Sequence, residues 1–123
     1  TGNYSNAVLA LRDVFKMAQD QTLRTKADFA LGNILKKQGD KPAALASFLR
    51  IALLADPDNP DLRAVVEKSL LESIDLAMEL GRLQDVLDSC DQYLKVFPKG
   101  DQANYVSKKK EEARLKGVSG AGP

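Results

Sequence analysis

Leu31-Gly32-Asn33-Ile34-Leu35-Lys36-Lys37-Gln38-Gly39-Asp40-Lys41-Pro42-Ala43-Ala44-Leu45-Ala46-Ser47-Phe48-Leu49-Arg50-Ile51-Ala52 is the stretch on which the fold turns. Before Gly39 the apolar residues Leu31, Ile34 and Leu35 step by three or four. After it Ala44, Leu45, Phe48, Leu49 and Ala52 do the same, so each side draws one stripe along a helix. Gly39 suits the left-handed residue that ends a helix. Asp40 is a side-chain cap for the next one, with Pro42 tolerated in its first turn. So short a connection makes the two helices antiparallel neighbours.

Working outward, the same spacing recurs. Ala7, Val8, Leu11, Val14, Phe15 and Ala18 form a first stripe, and Leu23, Ala27 and Ala30 lead into the second. The stripe beginning at Ala44 runs on to Leu53. Leu62, Val65, Val66, Ser69, Leu70, Ile74, Ala77 and Met78 make the longest, and Leu83, Val86, Leu87, Cys90, Leu94 and Phe97 the fifth. No stretch of comparable length alternates with period two, so an all-α chain of about six helices is expected. Ser5 is the expected cap of the first helix, Thr22 or Thr25 of the second, and Asn59 of the fourth, with Pro60 in its first turn. Gly81 separates the fourth helix from the fifth. Pro98-Lys99-Gly100-Asp101 ends the fifth and caps a sixth over 102–116, and residues 117–123 read as a flexible tail.

Composition narrows the function classes. An apolar share of 44% with 28% charged residues is that of an ordinary globular protein and argues against a disordered chain. Eighteen Lys and Arg against seventeen Asp and Glu leave a net charge of +1, so no overall basic field calls for nucleic acid. With no histidine and one cysteine, an internal disulfide and a Cys/His zinc site both lack their residues. Histidine acid–base chemistry is absent for the same reason, and neither a cofactor nor a small-molecule substrate is expected. The opening Thr1-Gly2-Asn3-Tyr4 lacks the charged-then-apolar pattern of a leader, and the missing initial Met suggests a processed chain or a fragment.

The stretch 31–57 resembles a tetratricopeptide repeat. The family's Leu-Gly pair falls on Leu31-Gly32, its turn on Gly39-Asp40, its small residue on Ala44, its aromatic on Phe48, and its closing proline on Pro57. Small side chains at 32 and 44 suit a close helix crossing, and Phe48 fills the gap beside them. Residues 2–11 overlay 39–48 without a gap, which puts Ala7 where Ala44 stands and Leu11 where Phe48 stands. On that reading the chain opens on the second helix of a repeat and is a piece of a longer array. Residues 81–90 overlay the same frame more loosely, with Val86 and Cys90 at the small and aromatic positions, and Ser73-Ile74 stands where Leu-Gly belongs. The resemblance implies one domain over 1–116, a right-handed stack of antiparallel hairpins. Its units are a half repeat at 2–18, repeats at 22–57 and 59–98, and a polar capping helix at 101–116.

What the family implies is protein binding rather than catalysis, with the first helix of each hairpin lining a concave groove for a partner's extended peptide or helix. Lys26, Phe29, Asn33, Lys36 and Lys37 from one such helix, and Arg63, Glu67 and Lys68 from the next, are the expected groove residues. Asn33 follows the Leu-Gly pair, where chaperone-tail-binding members carry an Asn that helps hold a terminal carboxylate. Those members place a Lys four residues earlier, where this chain has Phe29, so the clamp is incomplete. Phe29 itself reads either as a groove anchor or as core at a helix seam.

Two other function classes stay open. One is a self-associating structural module, since a chain beginning mid-repeat leaves an apolar helix face for another copy to cover. The other is binding to an anionic surface, nucleic acid or lipid, through Lys108, Lys109, Lys110, Arg114 and Lys116, although Glu111 and Glu112 sit among them. Cys90, on an apolar stripe, reads as a buried inert thiol. Asp56 and Asp58 belong to a turn, and Asp88 and Asp91 to an exposed helix face, so no enzyme is expected. The compartment is open between cytoplasm and bacterial periplasm, and a lone cysteine does not decide.

Overall fold

The computed structural model describes residues 2–17 and 20–121, and side chains over 4–14 and 20–117. Among the described residues all six regular elements are α-helices: α1 (Gly2–Met17), α2 (Gln21–Lys37), α3 (Lys41–Leu54), α4 (Arg63–Glu79), α5 (Leu83–Val96) and α6 (Ala103–Ala121). No strand occurs among the described residues. The chain forms two compact units, Thr1–Ser69 and Leu70–Pro123, with the division inside α4.

In the first unit α1 packs on α2 and α2 on α3. The α2–α3 turn is built as its residues dictate. Gly39 sits at φ +85°, a conformation that costs glycine nothing, and the Asp40 carboxylate accepts the Ala43 N–H at 3.2 Å. Beyond the turn the helices cross at Gly32. A Cβ placed there meets the Phe48 ring at 2.9 Å, so only glycine admits the aromatic at this depth. Ala44, Leu45 and Phe48 are wholly buried, and Leu31 and Leu35 are nearly so. Each large side chain removed from water in this way contributes on the order of 1.5–3 kcal/mol. Phe29 meets Phe48 edge-on, with ring centroids 5.7 Å apart. The positions on α1 that overlay this crossing, Ala7 and Leu11, are half-buried beside a buried Val8. Ala18, at the end of the first stripe, lies outside the described residues.

The second unit packs α5 on α6. Its core holds Leu70, Ile74, Leu76, Ala77, Val86, Cys90, Tyr93, Phe97, Val106 and Ala113. Tyr93, absent from the expected stripe, is fully buried, while Leu87 and Leu94 are only half-buried. The reason lies at Gly100. A Cβ there meets the Tyr93 hydroxyl at 2.6 Å and the Phe97 carbonyl oxygen at 3.2 Å. The turn after α5 therefore closes directly over the tyrosine, and the buried face rotates toward it. Ser69 and Ser73 on α4 are buried with hydroxyls that have no hydrogen-bond partner among the described residues.

Several element ends differ from expectation. Ser5 lies inside α1, which begins at Gly2. Asp20, not Thr22 or Thr25, caps α2, because its carboxylate accepts the Thr22 N–H at 2.8 Å. Asn59 does cap the start of the fourth helical segment. Its side chain accepts from the Asp61 N–H and its carbonyl from Arg63, although regular helix is reached only at Arg63. α6 begins after Gln102 rather than from an Asp101 cap, since the turn through Gly100 places the Gln102 carbonyl on the Val106 N–H. The same helix runs to Ala121, five residues past the expected end at Lys116. The next proline is Pro123, and glycine lowers helix propensity by only about 1 kcal/mol per residue. Leu23 and Leu53, read as core, are 50% and 80% exposed. Leu53 stands one residue, about 100° of helix, beyond the buried Ala52.

Candidate functional site

Of the expected groove residues, Lys26, Lys36, Lys37, Arg63 and Lys68 are exposed, and Phe29, Asn33 and Glu67 are half-buried. Lys26, Phe29, Asn33 and Lys37 recur at three- and four-residue steps, which places them along one side of α2. All eight fall within the first unit. None of them lines either of two clefts that open in this unit among the described residues. Phe29 is engaged by the Phe48 edge contact while keeping part of its ring in solvent, so it touches the core and the surface at once.

A buried ion pair of the unit involves residues that the sequence reading did not single out. Asp28 on α2 is 2% exposed, and Arg50 on α3 reaches it with both Nε (2.6 Å) and Nη2 (2.7 Å). This two-point geometry fixes the guanidinium plane and satisfies both carboxylate oxygens, which an isolated buried charge would not survive without. Arg50 also approaches the buried Ser47 hydroxyl at 3.4 Å. The hydrogen bond to Asp28 raises the Arg50 pKa above its ordinary value, against the opposing effect of partial burial. A sequence signal for the pair did exist. Asp28 precedes Leu31 and Leu35 by three and seven residues, so it sits on the buried stripe, and a carboxylate there requires a partner.

Around this pair opens a cleft of about 290 Å³ between the start of α2 and the end of α3. Gln21, Arg24, Thr25 and Asp28 line one side, and Arg50, Ile51, Leu54 and Ala55 the other. The Gln21 side chain donates to the Leu54 carbonyl at 3.0 Å and ties the two helix ends together. The cleft therefore offers an apolar wall and a polar one.

In the second unit the basic residues of α6 are largely paired. Lys110 bridges to Asp91 on α5 at 2.7 Å, Lys109 and Lys116 reach Glu112 at 3.4 and 3.6 Å, and Arg114 binds Glu111 at 2.5 Å. Tyr105 donates its hydroxyl to Asp75 at 2.5 Å, and this bond is the main cause that pushes its pKa up to about 12. Cys90 is fully buried, and desolvation, aided by nearby Asp91, pushes its thiol up to about 11. It sits where the sequence reading placed it, and the high pKa removes the thiolate that reactivity requires. Asp88 and Asp91 are exposed, with Asp88 accepting from Gln84. The Asp56 side chain accepts the Asp58 N–H within the turn. Among the described residues no group of three or more Cys, Asp or Glu is placed to hold a metal ion, and no helix is long and apolar enough to cross a membrane.

Comparison with protein-family models, with curated proteins and with solved structures finds no match.

Proposed function

We propose that this chain is a protein–protein interaction module of tetratricopeptide-like hairpins, which holds an extended peptide or a helix of another protein along the solvent face of α2 and the first turns of α4. The observation that carries the reading is the crossing at Gly32 and Phe48. The repeat pattern asks for a glycine against an aromatic there, and the two meet so closely that no Cβ fits. With α2 buried on that side, Lys26, Lys36 and Lys37 are left exposed on the helix, together with the half-buried Phe29 and Asn33. Long cationic side chains around a partly exposed aromatic suit a partner that brings acidic groups and one apolar anchor.

Selection from a displayed peptide library tests this directly. The wild-type chain should enrich a family of peptides, and Lys26→Glu with Lys37→Glu should abolish that enrichment while helicity is unchanged. No enrichment, or enrichment indifferent to the charge reversal, defeats the proposal.

A second reading, self-association, is favoured by the apolar residues that α1 leaves exposed: Tyr4 at 38%, Leu9 at 62% and Val14 at 40%. Light scattering over a hundredfold concentration range separates the two, since a strict monomer removes the second reading. Binding to an anionic surface through α6 gains no such support, because Lys109, Lys110, Arg114 and Lys116 already face carboxylates.

A further inference from the structure

The short connection between α1 and α2 makes them antiparallel neighbours, and they pack on each other. On α1, Tyr4, Ala7, Leu11 and Val14 follow at steps of three and four, so they form one stripe. Tyr4 and Val14 are exposed, and Ala7 and Leu11 are half-buried. The stripe stands about 120° around α1 from Arg12, which belongs to a cleft shared with α3. On α2, Leu23, Ala30 and Ile34 make a second stripe, with Leu23 exposed and the other two half-buried. It stands about 160° around α2 from Asp28 and Gly32, which face Arg50 and Phe48 of α3. Both stripes therefore turn away from α3 and border one apolar groove. The antiparallel run sets Val14 and Leu23 toward one end of it and Tyr4 and Ile34 toward the other. Ala7 and Ala30 lie between those ends, and their small side chains let a third helix approach closely.

Charge marks the α2 edge of the groove. Lys26 and Lys37 are exposed, stand roughly 40–60° from the α2 stripe, and have no ion pair among the described residues. The one carboxylate within α2, Asp28, is buried against Arg50. On α1, Asp13 stands about 140° from the stripe and faces elsewhere. We infer that the groove holds an amphipathic α-helix of another protein, with its apolar residues over Ala7 and Ala30 and a row of carboxylates along the Lys26–Lys37 edge. Charge complementarity selects an acidic flank, since a cationic one would meet two lysines. Spacing selects a helix. Both stripes advance by one helical turn, about 5.4 Å, as the ridges of a third helix do. Alternate side chains of an extended chain repeat at about 6.7 Å and fall out of step. A second copy is a poor occupant: groove against groove brings two lysine edges together, and its acidic helix α5 keeps Val86, Cys90 and Tyr93 buried in its own unit. The inference rests on the reading of the chain as a protein-binding module and names the fold and charge of the partner.

The probe is a fluorescein-labelled, end-blocked peptide, Glu-Leu-Ala-Gln-Glu-Leu-Gln-Glu-Leu-Ala-Gln-Glu-Leu-Ala, whose glutamates run along one flank of its leucine stripe. Anisotropy on the full chain compares it with a Gln-for-Glu counterpart and with a version carrying Pro for the middle Gln, which breaks the helix. The acidic helix should bind, and both counterparts should bind at least about tenfold more weakly. Leu23→Asp and Val14→Asp, one on each stripe, should each weaken the probe by about tenfold with an unchanged circular dichroism spectrum. Both positions are exposed, and an Asp at 23 falls in the first turn of α2, where it favours the helix. The inference is overturned by no binding at millimolar protein, by equal binding of either counterpart, or by indifference to Leu23→Asp and Val14→Asp. A dimer in light scattering that dissociates on Val14→Asp gives the groove to a second copy and overturns it too. Library peptides that are lost on Lys26→Glu with Lys37→Glu but kept on Leu23→Asp and Val14→Asp leave the protein-binding reading standing and overturn the helix groove. A library that enriches nothing, together with a silent probe, removes both.

Discussion

Both units seat an aromatic ring against a glycine, and the two places differ in what the glycine belongs to. At Gly32 it lies in mid-helix, facing Phe48 across a helix crossing. At Gly100 it lies in the turn after α5 and faces Tyr93 and Phe97, seven and three residues back along the chain. The first contact joins residues distant in sequence and sets how two helices meet. The second is local and sets how one helix ends. The lesson is that a small residue takes its meaning from the element it interrupts: in a helix it marks a crossing, and in a turn it marks a lid over the preceding side chain.

The hardest way to break the first unit is at that crossing. Ala44→Arg buries a charge at a position with no exposure and should cost roughly 3–5 kcal/mol, read as a large drop in the urea midpoint. If this variant unfolds with the wild type, the packing register assigned to α3 is wrong. Gly32→Ala should cost about 1–3 kcal/mol by overpacking, and less in a Phe48→Leu background, so a double-mutant cycle reads the contact itself. Gly100→Ala should also destabilise, by about 1–3 kcal/mol, with relief from Tyr93→Phe, which removes the hydroxyl nearest the new Cβ. Equal relief of both glycine variants by the same aromatic change would collapse the distinction between crossing and lid.

A milder change sharpens the comparison from the polar side. Ser73→Ala removes a buried hydroxyl without a partner among the described residues and adds a better helix former, so it should stabilise by about 1 kcal/mol in thermal melts. The last effect is alkaline and belongs to the second unit. The Cys90 pKa is raised from 9.0 to about 11, and that of Tyr105 from 10.0 to about 12. A raised native value means the folded state holds its proton longer than the unfolded chain does. The associated stability is complete below pH 9 and is lost progressively toward pH 11 to 12. Melting temperature followed from pH 8 upward should fall, and Cys90→Ala should flatten the early part of that fall.

Much of the helical architecture was legible because its signals are local. Gly39 with Asp40, and Leu31-Gly32 with Ala44 and Phe48, need only spacing and side-chain size to be interpreted. The helix starts were less legible. Ser5, Thr22 and Thr25 are all competent caps, and Asp20 takes the role for α2 only because the chain enters that helix from there. Tyr93 escaped notice because a tyrosine three residues past Cys90 reads as a half-exposed edge until Gly100 closes over it. At the candidate site, the side-chain pattern announced the exposed lysines of α2. It did not announce Arg50, whose role depends on reaching Asp28 twenty-two residues away. An ion pair between helices is a fact of their crossing, and one helix's periodicity carries no record of it.

The lone thiol has a consequence of its own. Cys90 has no exposed surface, so a thiol reagent reaches it only through conformations in which the second unit has opened. The rate of labelling, divided by that of the same thiol in urea, is then the fraction of time the unit spends open. The protein thus carries its own clock for a motion that leaves no trace in the average structure, and a single reagent reads it in native buffer without a label being engineered in.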